Sequence, residues 1–303
     1  MRFLKKTNLN FLSVRKTFYI ASLTLLSFGI ISLFIKGIDL GIDFLGGTEL
    51  IVQFQTPAKI SDIREALNKE GITRAEIKIY GDPLNILIRT PVHEFGTVVG
   101  DNIKTTLGKN FPDNPTTILE EQKIGPKIGA ELRRGAIYAI LASLIVMLIY
   151  IGFRFKFIYG VGAVVALFHD VLITLGIISL LDGMTPFLDF EIDQNMVAAF
   201  LTLVGLSVND SVVIFDRIRE NLKIYKTMSL FDVINKSIND TLSRTIITSG
   251  TIFMVLFIIM LFGGEVTRGF AFTLTIGIVV GTYSSIYIAS AVVYEWSLRK
   301  KQS

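Results

Sequence analysis

Cysteine is absent from the 303 residues, which excludes disulfides, thiolate nucleophiles and cysteine-ligated metal sites. Charge is scarce as well. Asp, Glu, Lys and Arg make up 18% of the chain against 51% hydrophobic residues, too apolar for an ordinary soluble domain, so a lipid bilayer is the expected solvent. Only 2 histidines occur, and neither they nor the glutamates fall at metal-ligand spacing, so no metal or other cofactor is expected. There is no Gly-x-Ser-x-Gly element, no Walker-type loop and no second aspartate placed to form a dyad. An intramembrane hydrolase, ATP binding by this chain and catalytic residues of any kind are therefore not expected.

What the chain does have is long apolar runs. A hydrocarbon core of about 30 Å needs roughly 20 apolar helical residues. Six stretches reach that length, at about 17–36, 135–153, 157–181, 195–215, 245–262 and 268–294. The first follows Arg2, Lys5, Lys6, Arg15 and Lys16 in the manner of a signal peptide, but no small-x-small cleavage site comes after it, so it reads as an uncleaved anchor. A cytoplasmic N-terminus places Arg154, Lys156 and a basic loop at 216–244 (Arg217, Arg219, Lys223, Lys226, Lys236, Arg244) inside, together with the 295–303 tail that carries Arg299, Lys300 and Lys301. The short outer loops, 182–194 and 263–268, then hold only Arg268 against Asp182, Asp189, Glu191, Asp193 and Glu265. The positive-inside rule selects this orientation, with both termini cytoplasmic.

Residues 37–133, between the 1–36 anchor and the five-helix region 134–294, change in character. Apolar runs shorten to strand length, with Pro, Asn, Asp and Lys between them. Thr48–Gln55 reads as a strand, Ser61 as the cap of an amphipathic helix with Ile63, Ala66 and Leu67 on one face, and 74–80 and 84–90 as strands around Gly81-Asp82-Pro83. A helix at 94–108 and a strand at 116–124 follow. That order predicts a ferredoxin-like α+β extracytoplasmic domain inserted between the first two of six transmembrane helices. His93 stands alone in it, and the insert reads as scaffold or binding surface. Gly41, Asp43, Gly46 and Gly47 lack the lysine and the spacing of a phosphate loop and read as a turn into the first strand.

Ionisable groups at membrane depth cost roughly 2.5–3.5 kcal/mol each on the insertion scale, so each is a functional candidate. His169, Asp170 and Asp210 are the three, with Asn209 and Ser211 making the surroundings of Asp210 polar. A carboxylate whose environment alternates between desolvated and cation-paired can carry a proton. Arg244, where the fifth span begins beside Thr245, Thr248 and Ser249, is the nearest cation by topology; a static pair joining spans four and five is the other reading. His169 and Asp170 read equally as polar support. Gly269, Thr273, Gly277, Gly281, Ser285 and Ala289 recur every four residues as a small-residue ridge for close helix packing.

Val208 to Asn221 (VNDSVVIFDRIREN), Gly125-Pro126-Lys127-Ile128-Gly129, Phe168-His169-Asp170-Val171, Gly281-Thr282-Tyr283-Ser284-Ser285, Gly41-Ile42-Asp43-Phe44, Gly46-Gly47 and Ser243-Arg244-Thr245 together resemble SecF, a family of membrane subunits of bacterial protein export. The resemblance covers nearly the whole chain. It departs at Leu206, where an aromatic residue is expected, and in the length of the 182–194 loop. It implies half of a resistance-nodulation-division type transporter in the bacterial inner membrane, paired with SecD beside the SecYEG channel, with YajC and YidC as further partners. Unfolded secretory polypeptide and membrane lipid would be contacted, and no nucleic acid. Carried over by position, Asp210 is the proton-site aspartate and Arg244 its cationic partner. The alternative function is a small-molecule or lipid exporter of the same superfamily.

Overall fold

In the computed structural model, residues 7–73, 75–91, 98–155, 157–188 and 190–302 are described. Arg2, Lys5, Lys6, Arg74, His93, Lys156 and Asp189, and the side chains of Lys300 and Lys301, lie outside the described set. Among the described residues, six helices are long and apolar enough to cross a membrane.

The first, α1 (Arg15–Lys36), ends at Gly37, whose φ of 81° suits a glycine and turns the chain out of the helix. A one-turn helix α2 (Ile42–Leu45) leads to the insert: β1 (Gly47–Phe54), α3 (Ile60–Lys69), β2 (Glu76–Tyr80), β3 (Asp82–Thr90), α4 (Val98–Asn110) and β4 (Thr116–Ile124). The strands form one sheet in the order β2-β3-β1-β4, every neighbouring pair antiparallel, with Ile51 opposite Leu87 in the central pair. Alternation puts Leu50, Val52 and Phe54 of β1 and Ile86 and Ile88 of β3 in one cluster with Ile63 and Leu67 of α3 and Ile103 and Leu107 of α4. Each such side chain contributes about 1.5–3 kcal/mol by leaving water, so the insert has a core of its own. Ser61 does not cap α3; Lys59 holds the cap position and the Ser61 hydroxyl donates to the Asp62 carboxylate at 2.9 Å instead.

The remaining membrane-length helices are α5 (Pro126–Arg154), α6 (Phe157–Leu181), α7 (Gln194–Ile224), α8 (Leu230–Phe262) and α9 (Glu265–Ser284), the last running through a π turn at Ser285–Ala289 into α10 (Ser290–Gln302). Three expected boundaries shift. Residues 126–133 belong to α5, started by Pro126 in its first turn, not to the insert. The 295–303 tail is helical through Gln302 and is tied down where Arg15 Nε meets Glu295 Oε1 at 2.8 Å.

The 216–244 loop is likewise almost all helix, with only the turn at 225–229 breaking it. At 1.5 Å per residue the 31 residues of α7 span about 46 Å, more than the hydrocarbon core requires. Hydropathy finds only the apolar part. The polar extensions are held as a hairpin by Arg217 Nη2 on Asp240 Oδ2 at 2.9 Å, Asn221 Nδ2 donating to Ser237 Oγ at 2.9 Å, and buried Ile218, Val233, Ile234 and Ile238.

Candidate functional site

Two apolar clusters divide the helical region. One gathers Tyr159, Ala163, Leu167, Ile214, Phe215, Ile234, Ile238 and Val293; the other Ile178, Met196, Phe200, Leu203, Leu256, Met260 and Phe272. Buried polar residues stand amid these clusters along α6, α7, α8, α9 and the π turn that follows it: His169, Asp170 and Thr174; Ser207, Asp210 and Ser211; Thr245 and Ser249; Ser284 and Ser285. These polar groups lie well inside the helices' length, among apolar side chains.

Asp210 is 8% exposed. Its Oδ2 accepts from Ser249 Oγ of α8 at 2.9 Å. Beside it is a cavity of about 20 Å³, room for one water, lined among others by Ser207, Asn209, Thr248, Ser249, Gly277 and Gly281. Leu206 lines the same cavity, so the departure from the expected aromatic falls at the site itself. Arg244 is exposed, one helical turn before Thr248, which donates to the Arg244 carbonyl. The Arg244 charge acts on Asp210, but among the described residues no ion pair within 4 Å joins the two. Of the expected supports, Ser211 is buried and bonded to Ser285 Oγ at 3.1 Å, whereas Asn209 is exposed.

His169 and Asp170 form a second centre. Asp170 is 1% exposed; its Oδ1 lies 2.9 Å from His169 Nδ1 and its Oδ2 accepts from Ser207 Oγ at 2.6 Å and Ser284 Oγ at 2.8 Å. His169 Nε2 lies 3.2 Å from the Tyr283 hydroxyl, which lies 3.3 Å from Ser22 Oγ on α1. The roles of Ser207, Ser284 and Tyr283 escape a search for charge alone. The available signal was spacing: Ser207, Asp210 and Ser211 share one helix face, as do Gly281, Ser284 and Ser285.

The small-residue ridge of α9 packs within the chain, against α7. A Cβ on Gly277 would lie 2.7 Å from Leu203 Cδ1, one on Gly269 3.2 Å from Met196 Sδ, and one on Gly281 3.1 Å from Ser207 Oγ. Thr273 is buried on the same ridge, its hydroxyl donating to the Gly269 carbonyl at 2.8 Å.

The glycine turn is a joint between insert and helices. Gly41 N donates to the Ile192 carbonyl at 3.0 Å, Ile192 N to the Asp39 carbonyl at 2.8 Å, and Gln194 N at the start of α7 to Asp43 Oδ2 at 2.9 Å. Gly46 has φ 82°, and a Cβ on Gly47 would fall 2.3 Å from the Thr90 carbonyl oxygen. Above the joint, Arg89 of β3 meets Glu49 at 2.6 Å, Glu76 at 3.6 Å and Asp193, the N-cap of α7, at 3.8 Å. Burial raises the Asp193 carboxyl, opposed by the Met196 N–H it accepts and by Arg89.

The model of the SecD/SecF protein-export membrane protein C-terminal region matches residues 103–299, and that of the SecD/SecF GG motif matches 31–58. A protein translocase subunit SecF from Rhodothermus marinus is 48% identical over 299 residues, covering 99% of this chain and 96% of its own. The chain belongs to the SecF family. SecF of Haemophilus influenzae is 39% identical, with 96% and 87% covered. The crystal structure of SecDF from Thermus thermophilus, a translocon-associated membrane protein, superposes with a TM-score of 0.80 at 36% identity over 96% of this chain. This SecF-family chain spans 39% of that longer SecDF chain. The family makes it a multi-pass membrane protein, and its relatives favour protein export over a small-molecule or lipid exporter.

Proposed function

We propose that this chain is an accessory subunit of bacterial Sec protein export that draws on the proton gradient to advance a polypeptide during late translocation. It sits in the inner membrane with both termini cytoplasmic and pairs with a SecD-type chain beside the SecYEG channel; YajC and YidC are further candidates. Its insert, a ferredoxin-like domain by strand order, is the outside surface that meets the emerging chain. Asp210 takes up and releases the proton, and Arg244 is the cation that favours its charged form when the helices repack.

The observation that carries this reading is Asp210 itself: a carboxyl 8% exposed inside a membrane-length helix, with one serine donor and a water-sized cavity beside it. Such a group is costly unless it is used. The gradient can supply the work, since one charge crossing the membrane yields about 2.3 kcal/mol per 100 mV, enough to bias a two-state packing change. Transmission has a route, because α7 carries Asp210 within its length and holds the insert at its first residues. Asp210→Asn is expected to fold and assemble yet stop gradient-dependent secretion from inverted vesicles; secretion at the unmodified rate would refute the proposal.

A further inference from the structure

Asp170 shares no hydrogen bond with Asp210, yet one side chain, Ser207, stands between Asp170 and the cavity that Asp210 lines. Ser207 Oγ, which donates to Asp170 Oδ2 at 2.6 Å, lines the cavity beside Asp210. Gly281 lines it too, and a Cβ there would stand 3.5 Å from Asp170 Oδ2, so at this position no side chain is interposed between the cavity wall and Asp170. On the far side, the His169 ring, the Tyr283 hydroxyl and Ser22 continue without a gap to α1. One turn along α6, Thr174 Oγ1 is buried and without a hydrogen-bond partner among the described residues. The threonines of α9 at 273, 275 and 282 donate to the carbonyl four residues back, and Thr174 does not. An orphaned hydroxyl beside a buried acid is a place for a water to enter.

The groups that face Asp170 are His169 on its own helix, Ser207 on α7, and Ser284 and Tyr283 on α9; among the described residues no Lys or Arg pairs with it. A static ion pair would need one cation. Asp170 has instead hydroxyls, which both donate and accept, and an imidazole that can take a proton on one nitrogen and release one from the other.

We propose that Asp170 is a second proton-carrying carboxyl, joined to Asp210 through Ser207 and the cavity, with His169 and Tyr283 as the branch towards α1. The proposal rests on the reading of Asp210 as a proton site. Each hop balances. A cavity water takes the Asp210 proton and gives one to Ser207 Oγ, while Ser207 passes its own proton to Asp170 Oδ2. Asp170 returns to the carboxylate by handing that proton to His169 Nδ1 as Nε2 releases one to Tyr283; Tyr283 passes its own proton to Ser22, Ser22 gives its hydroxyl proton to a water at the α1 end, and the imidazole and each hydroxyl end neutral.

The test is proton uptake by the complex of this chain and its SecD-type partner in proteoliposomes loaded with a pH dye, with copurification of the partner as the assembly check. Asp210→Asn and Asp170→Asn are each expected to lower uptake roughly 100-fold, the scale of a positioned proton-transfer group. Asp170→Glu should restore uptake with a displaced pH profile, and Ser207→Ala should slow it with both carboxyls intact. Full uptake and an unchanged pH profile in Asp170→Asn, with Asp210→Asn inactive, overturn this inference and leave Asp210 standing. Full uptake in Asp210→Asn overturns both. If Asp170→Asn does not assemble, unchanged uptake in Ser207→Ala refutes the connection.

Discussion

Glu191 stands at the joint between insert and helices, next to Glu76 and within reach of Lys78 and Arg89. Burial first and the Glu76 charge second push its carboxyl from the ordinary 4.5 up to about 8, against the pull of Lys78 and Arg89. The folded joint therefore holds a proton that the unfolded chain releases, and stability must fall as pH rises from about 4.5 towards about 8 and level off above it. Amide exchange at 190–193 is expected to speed up over that window. Glu191→Gln, which cannot ionise, should flatten the dependence; an unchanged slope would show that another group sets it.

Among the elements, the helical hairpin of α7 and α8 was concealed by its polarity. Asn221 is 1% exposed and gives its amide to Ser237 Oγ at 2.9 Å and Asp240 Oδ2 at 3.3 Å, so it joins the two extensions from inside. Asn221→Ala leaves those acceptors short of a donor at a cost of about 1–3 kcal/mol. Faster protease cleavage in the 225–229 turn, with the membrane-embedded fragments intact, is the expected result. A different close contact ties α1 to α6: a Cβ on Gly29 would lie 2.7 Å from the Cα of Gly176, and Ser32 Oγ meets Ser179 Oγ at 2.8 Å nearby. Ser22, Gly29 and Ser32 are the buried residues of α1, a small-residue stripe that an apolar-run search passes over.

For the molecule as a whole, the insert is fastened to the helices at the start of α7 and of α9. Glu265, first residue of α9, accepts from Ile79 N at 2.8 Å, and Arg89 ties three carboxylates together while only 13% of its side chain is exposed. Arg89→Gln leaves Glu49, Glu76 and Asp193 facing one another without their cation, a loss of roughly 3 kcal/mol for a largely buried pair. Trypsin should then release the insert faster while the membrane helices remain protected. Export should weaken in step if the insert is the moving output; full export with a loosened insert would separate the joint from the mechanism.

The sequence by itself determined the six membrane helices, the elements of the insert and the candidate role of Asp210. Each of these follows from local quantities: an apolar run of bilayer length, a period of two or of 3.6, and a charge where water is absent. Only the tertiary structure decided what His169 and Asp170 touch, that the α9 ridge meets Leu203 and Ser207 within the same chain, and that Gly41 and Asp43 clasp residues 192–194. Arg244 shows the limit from the other side. Its charge and position could be read from the chain, but its distance from Asp210 depends on how α7 and α8 pack, which no single segment encodes.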